Sequence, residues 1–265
     1  MDVNDETPRQ ERQRGDAVPH ITRIAHRGAS GKGLAPANTL AAFRKAIEIG
    51  TDAVEMDVHL SRDGHVVVCH DATLNRTTDR RGAIKDLTLS EIKQADAGSR
   101  FDPAFAGERI PTLKEALDLI RGQAFALIEI KPEDITREVV RFIEEQDAVE
   151  RVVLQSFHKE VVLEIGLLNP NLRKALLIGV PAIDIRHILA SRLVRRTTEV
   201  GANILALSHN AATPELVREL HRRDLALYVW TVDEPDALKH MIRIGVDGII
   251  SNYPDRLNAC IEGIA

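Results

Sequence analysis

Glu55 and Asp57 stand two residues apart inside the apolar run Ala53-Val54-Glu55-Met56-Asp57-Val58. Alternate side chains of a strand share a face, so the two carboxylates lie side by side if this run is a strand. A third acid occurs in a similar setting, Ala126-Leu127-Ile128-Glu129-Ile130-Lys131, where Glu129 and Lys131 share a face. Buried carboxylates take up a proton or find a cation. Three acids and a lysine at the ends of aliphatic strands therefore suggest a hard divalent cation and an anionic ligand. Two histidines stand close by in the pattern. His26 opens His26-Arg27-Gly28 after one apolar run, and His70 lies in Cys69-His70-Asp71 at the end of another.

The elements that must position these groups alternate along the chain. Short β-branched runs are expected as strands over residues 21–26, 52–58, 125–130, 151–155, 173–177, 203–207, 226–231 and 247–250. Amphipathic stretches between them read as helices, most clearly over 38–49, 113–120, 133–145, 214–223 and 234–244. Pro214 and Pro235 suit a first helical turn, where a missing N–H costs little. Eight strands in this alternation predict an α/β fold with a parallel sheet, and the length of 265 residues favours closure into a (β/α)8 TIM barrel. One connection is long. An inserted segment after the second strand, about residues 59–110, starts as a hairpin turning at Arg62-Asp63-Gly64 and continues irregularly, with a short helix at 89–95. It is expected to cap the mouth of the barrel. His59 would share the face of Asp57, but the hairpin is expected to turn it outward. Residues 1–19 are polar and aperiodic and read as a disordered tail, leaving 20–265 as the barrel domain.

Composition narrows the function classes. A net charge of -5 with mixed signs argues against a nucleic-acid surface or a polybasic membrane anchor. No apolar window is long enough for a membrane span. The first residues lack the basic-then-apolar pattern of a signal peptide. Cys69 and Cys260 are far apart and without CxxC spacing, which points to reduced thiols and a cytoplasmic setting. Residues 28–33 are glycine-rich but lack P-loop spacing. Ser156 with His158 and Ser208 with His209 come without an acid partner, so a nucleophilic triad is not expected.

Taken in order, His26-Arg27-Gly28, Pro36-Ala37-Asn38-Thr39, Glu55-x-Asp57, Asp63-Gly64, His70-Asp71 and Glu129-x-Lys131 resemble the glycerophosphodiester phosphodiesterases. Ser156-Phe157, Val229-Trp230-Thr231 and the run 245–250 are similar to that family too. The resemblance implies a TIM barrel that hydrolyses glycerophosphodiesters to glycerol 3-phosphate and an alcohol. It implies His26 and His70 as the acid/base pair and Glu55, Asp57 and Glu129 as the ligands of one divalent cation. It further implies Arg27 and Lys131 as phosphate contacts and Trp230 as a wall of the substrate pocket. Ala37 departs from the family pattern, which usually has glutamate there.

The chemistry is coherent on its own terms. A phosphodiester is an anion whose phosphorus is shielded by negative oxygens. A carboxylate-held cation neutralises that charge, and oxygen ligands suit Mg²⁺, Ca²⁺ and Mn²⁺ alike. Arg27 can bind phosphate oxygens bidentately and Lys131 adds a point charge. Two alternatives accompany this reading. One is a lysophospholipase D on the same fold, and the other a non-catalytic barrel that binds a phosphorylated ligand.

Overall fold

Each apolar run that reads as a strand pairs with a neighbour, and the pairing closes on itself. The computed structural model describes residues 21–179 and 189–263; the tail expected over 1–19 lies outside them. The strands are β1 (Thr22–Ala25), β2 (Ala53–Leu60), β3 (Val66–Val68), β4 (Phe125–Ile130), β5 (Val152–Ser156), β6 (Arg173–Ile178), β7 (Ile204–Ser208), β8 (Ala226–Trp230) and β9 (Gly248–Ser251). Among the described residues, all but β3 form one parallel ring in the order β1-β9-β8-β7-β6-β5-β4-β2, sealed by β1 on β2. This is the TIM barrel the alternation predicts.

The helices are α1 (Leu40–Ile49), α2 (Leu89–Ile92), α3 (Leu113–Ile120), α4 (Thr136–Glu145), α5 (Lys159–Leu168), α6 (Leu189–Glu199), α7 (Pro214–His221), α8 (Pro235–Ile244) and α9 (Pro254–Glu262). Local chemistry marks their ends. The Thr39 hydroxyl caps α1 at the Ala42 N–H, and Gly50 closes it in the left-handed conformation. Thr112 and Glu115 form a capping box at the start of α3, and Pro214 and Pro235 sit in first turns.

Side-chain alternation sorts the strands into two apolar layers. Ile24, Ala53, Leu127, Ala175 and Ala206 fill the barrel interior. Val54, Met56, Ile128 and Leu154 point outward under α1, α3, α4 and α5. Parallel strands buried on both faces need apolar residues at nearly every position. The charged inward positions of β2 and β4 are therefore exceptions that call for a separate explanation.

Two local expectations are corrected. β2 runs on to Leu60 before β3 returns antiparallel to it, so the hairpin does not turn His59 outward; the ring is buried and its Nε2 lies 3.2 Å from the His70 carbonyl oxygen. The first helix starts at Leu40 rather than at 38, because Asn38 has a positive φ of 59° and its side chain is drawn to Asp57. The connection from β3 to α3 carries α2 and packs a small core of its own around Leu74, Ile84, Ile92 and Ile110.

Candidate active site

Register brings the acids together. Asp57 of β2 is level with Glu129 of β4, and Glu129 with Gln155 of β5. Oxygens of Glu55, Asp57 and Glu129 all lie within 4.8 Å of one another, and all three residues are buried. Burial pushes the Glu55 carboxyl well above the usual carboxylate range, and Asp57 and Glu129 push it the same way. Burial and Asp57 likewise raise Glu129 to about 7, against the pull of Lys131. Burial opposes ionisation of Asp57 too, but Lys131, Arg27 and the Asn38 amide outweigh it and hold this carboxyl below its usual value. Such a cluster is uncomfortable without a cation, and its hard oxygen donors fit one.

Cations and donors surround the trio. Lys131 Nζ lies 2.7 Å from Glu129 Oε1 and 3.0 Å from Asp57 Oδ1. The Arg27 backbone N–H donates to Glu55 Oε2 at 2.9 Å, and its Nε lies 3.2 Å from Asp57 Oδ2 without the alignment of a hydrogen bond. Asn38 Nδ2 donates to Asp57 Oδ2 at 2.8 Å. This rim is built by an unusual backbone. Arg27 has a φ of 55°, and at Gly28 (φ 80°) a Cβ would come within 2.8 Å of Ala42. Only glycine lets the loop sit against α1 here.

The histidines have different partners. His26 Nδ1 lies 2.7 Å from Asn252 Oδ1. Asn252 Nδ2 donates to Asp233 Oδ2 at 2.7 Å and Ser30 Oγ donates to Asn252 Oδ1 at 2.9 Å, so the amide is oriented with its oxygen toward the ring. The neutral His26 ring therefore carries its proton on Nδ1 and turns the Nε2 lone pair toward Glu55, 3.9 Å away. Burial, with Arg27 adding to it, lowers this imidazole to about 4. His70 Nδ1 instead meets a carboxylate, Asp71 Oδ1, at 2.7 Å. Arg76 grips the same carboxylate at 2.6 and 2.8 Å and holds its pKa far below the usual range. Burial lowers His70 as well, while the Asp71 bond pulls in the opposite direction.

One pocket of about 160 Å³ joins these groups. His26, Arg27, Glu55, His70, Glu129 and Lys131 line one side of it; Phe157, Leu177, Trp230 and Ile250 line the other. Trp230 meets Phe157 edge to face, with ring centroids 5.5 Å apart. Of the eight residues that the resemblance assigns to the site, all border this pocket except Asp57, which belongs to the acid trio. Ala37 borders a separate cavity of about 50 Å³, next to Arg27, His70 and Arg76.

Sequence reasoning quoted Asn38 in a motif without giving it a role, and passed over Gln155, Asp233 and Asn252. Gln155 carried a signal, a lone amide in the strand Val152-Val153-Leu154-Gln155-Ser156, and its Nε2 lies 3.4 Å from Glu55 Oε1. Asn252 stands 226 residues from His26 and had none.

Comparison with known proteins agrees with this geometry. The sequence profile of the glycerophosphoryl diester phosphodiesterase family matches residues 26–256. A glycerophosphodiester phosphodiesterase of Caldanaerobacter subterraneus subsp. tengcongensis is 39% identical over 88% of this chain and 95% of its own. One from Bacillus altitudinis is 33% identical over 89% and 96%. Among solved structures, an Oleispira antarctica phosphodiesterase in complex with the product sn-glycerol-3-phosphate superposes with a TM-score of 0.79, at 28% identity over 92% of this chain and 97% of that one. A glycerophosphodiester phosphodiesterase of Agrobacterium tumefaciens gives the same TM-score and identity over 91% and 99%. With a matched profile over most of its length, full-length relatives and a barrel whose rim gathers the acids, cations and imidazoles, the chain belongs to the glycerophosphoryl diester phosphodiesterase family and is an enzyme of that class.

Proposed function

We propose that this enzyme hydrolyses glycerophosphodiesters to glycerol 3-phosphate and an alcohol, with His26 as general base and His70 as general acid. The observation that carries the reading is the unlike pairing of two imidazoles on one pocket. His26 Nδ1 donates to a neutral amide oxygen, which leaves Nε2 free to accept a proton. His70 Nδ1 donates to a carboxylate, which counters the burial that lowers this imidazole and so supports the delivery of a proton to the departing alkoxide. Glu55, Asp57 and Glu129 would hold one divalent cation, Mg²⁺, Ca²⁺ or Mn²⁺. When bound, that ion neutralises charge on the phosphoryl oxygens.

The chain's own groups do the rest. Lys131 and Arg27 already neutralise Asp57, and both border the pocket where a phosphate would enter. Trp230 and Phe157 offer an apolar face to the carbon skeleton of the substrate. General acid and base groups typically contribute roughly 10²–10⁴-fold, so most of the acceleration falls to electrostatic preorganisation by the ion and the two cations. The cavity beside the inserted segment is only about 50 Å³, too small for a long acyl chain, which favours a water-soluble diester over an acylated one. Two free, buried cysteines are in keeping with reducing, cytoplasmic surroundings.

The test is release of glycerol 3-phosphate from glycerophosphocholine with added Mg²⁺, Ca²⁺ or Mn²⁺, set against lysophosphatidylcholine under the same conditions. Metal-dependent release from glycerophosphocholine is expected. Faster turnover of the acylated substrate would favour the lysophospholipase D reading, and silence toward both at every metal and pH would leave a binding barrel.

A further inference from the structure

The strand that carries Glu55 and Asp57 continues past the acid trio. Side chains of β2 alternate faces, so His59 follows the two acids on the same face. An aliphatic residue would serve packing there, yet the strand carries an imidazole that is only 6% exposed. Burying such a ring is costly unless its polar atoms find partners. His59 Nε2 lies 3.2 Å from the His70 carbonyl oxygen. A carbonyl only accepts, so Nε2 carries the proton and the neutral ring is held in one tautomer.

The carbonyl that receives this bond belongs to the residue assigned above as general acid. The β2–β3 ladder ends one residue earlier, where the Cys69 N–H donates to the Asp57 carbonyl at 2.9 Å. Beyond that point the His70 backbone enters no backbone–backbone hydrogen bond among the described residues, and His59 is the one recorded partner of its carbonyl. The side-chain partners of His70 do not replace the ladder. Asp71 is its neighbour in sequence and Arg76 lies in the same inserted segment, so they orient the ring within that segment rather than against the barrel. His59 instead ties the His70 backbone directly to the strand that carries Glu55 and Asp57. It is not among the residues that line the catalytic pocket, so any effect it has on turnover passes through another group.

We propose that His59 is a positioning residue for the general acid: its Nε2–H fixes the His70 carbonyl and so sets the imidazole of His70 at its working distance from the acid trio. A reacting group displaced by about 1 Å loses roughly 10²-fold in rate. The inference rests on the reading of His70 as the acid, and the experiment separates the two.

The test compares glycerophosphocholine with glycerol p-nitrophenyl phosphate, whose phenolate departs without a proton, in variants of the full chain. His59→Phe keeps the bulk of the ring and removes the donor. It should lower kcat on glycerophosphocholine roughly 10–100-fold with little change in KM, and lower the rate on the nitrophenyl ester by less than about threefold. His59→Gln places an amide nitrogen as many bonds from Cβ as the imidazole Nε2 and should recover most of the loss. His59→Leu also removes the donor and repeats the measurement if the phenylalanine variant does not fold. A purely structural role would lower the melting temperature and depress both substrates together, and that result would overturn the proposal. So would full turnover of glycerophosphocholine by His59→Phe, or a loss that His59→Gln fails to recover. His70→Ala is assayed alongside. If it spares the nitrophenyl ester and His59→Phe does not, the positioning role alone fails; if His70→Ala depresses both esters alike, the assignment of the acid fails and this inference with it.

Discussion

The pocket has two walls made from the same inward strand positions, and they are opposites. On β2, β4 and β5 the inward residues at the rim are Glu55, Asp57, Glu129 and Gln155; on β6, β8 and β9 they are Leu177, Trp230 and Ile250. One layer lower, both sides are aliphatic, with Ala53 and Leu127 on one and Ala175 and Ala206 on the other. The fold is thus held by the lower layer, and the upper layer is free to spend hydrophobic burial on charge along one arc only. The polar arc suits a phosphate and a cation, the apolar arc the carbon skeleton. The two imidazoles stand at the polar arc with unlike supports, a neutral amide for His26 and a carboxylate for His70.

Perturbing the polar wall should have the larger effect. Chelation of divalent metal should abolish turnover. Asp57→Asn, which removes the negative charge shared by Lys131 and Arg27, should cost roughly 10³-fold or more in kcat. Retention of more than a tenth of the wild-type rate would mean that the wall is not the seat of catalysis. A subtler change sharpens the contrast between the histidines. Asn252→Asp gives His26 a carboxylate like that of His70 and should raise its pKa. The base must be unprotonated, so the acid limb of kcat/KM should move to higher pH, with a loss of about 10–100-fold at neutral pH. An unmoved limb would remove Asn252 from the support of His26.

The apolar wall should respond more mildly. Trp230→Leu should lower kcat/KM by about tenfold, mainly through KM; a collapse of kcat alone would show that Trp230 acts in the chemical step. The smallest effect concerns stability. In the metal-free protein, the Glu129 carboxyl at about 7 binds more protons than the unfolded chain, whose value is near 4.5. Stability contributed by this group is therefore present at low pH and falls as pH rises across that window. Glu129→Gln should flatten this slope and stabilise the metal-free fold by about 1 kcal/mol near neutral pH, read from thermal melts. A steeper slope in the variant would contradict the repulsion inferred within the trio.

Much of the polar wall was legible in the sequence, because acids spaced by two within aliphatic runs are improbable in buried parallel strands. The barrel followed from the alternation of elements. What escaped depends on closure of the ring. His59 was expected to turn outward because its contact, the His70 carbonyl, comes only from the return of the hairpin. Asn38 reads as the start of a helix until its positive φ and its bond to Asp57 are seen. Asn252 and Asp233 look like ordinary loop residues, and only the meeting of β9 with β1 carries them to His26.

The assignment of base and acid is tested most directly by leaving-group dependence. His26→Ala and His70→Ala would each be assayed on glycerophosphocholine and on glycerol p-nitrophenyl phosphate, whose phenolate departs without a proton. His26→Ala should lose a similar factor, roughly 10²–10⁴, on both substrates. His70→Ala should lose that much on glycerophosphocholine and at least tenfold less on the nitrophenyl ester. The reverse pattern, with the nitrophenyl ester rescuing His26→Ala and not His70→Ala, would contradict the account.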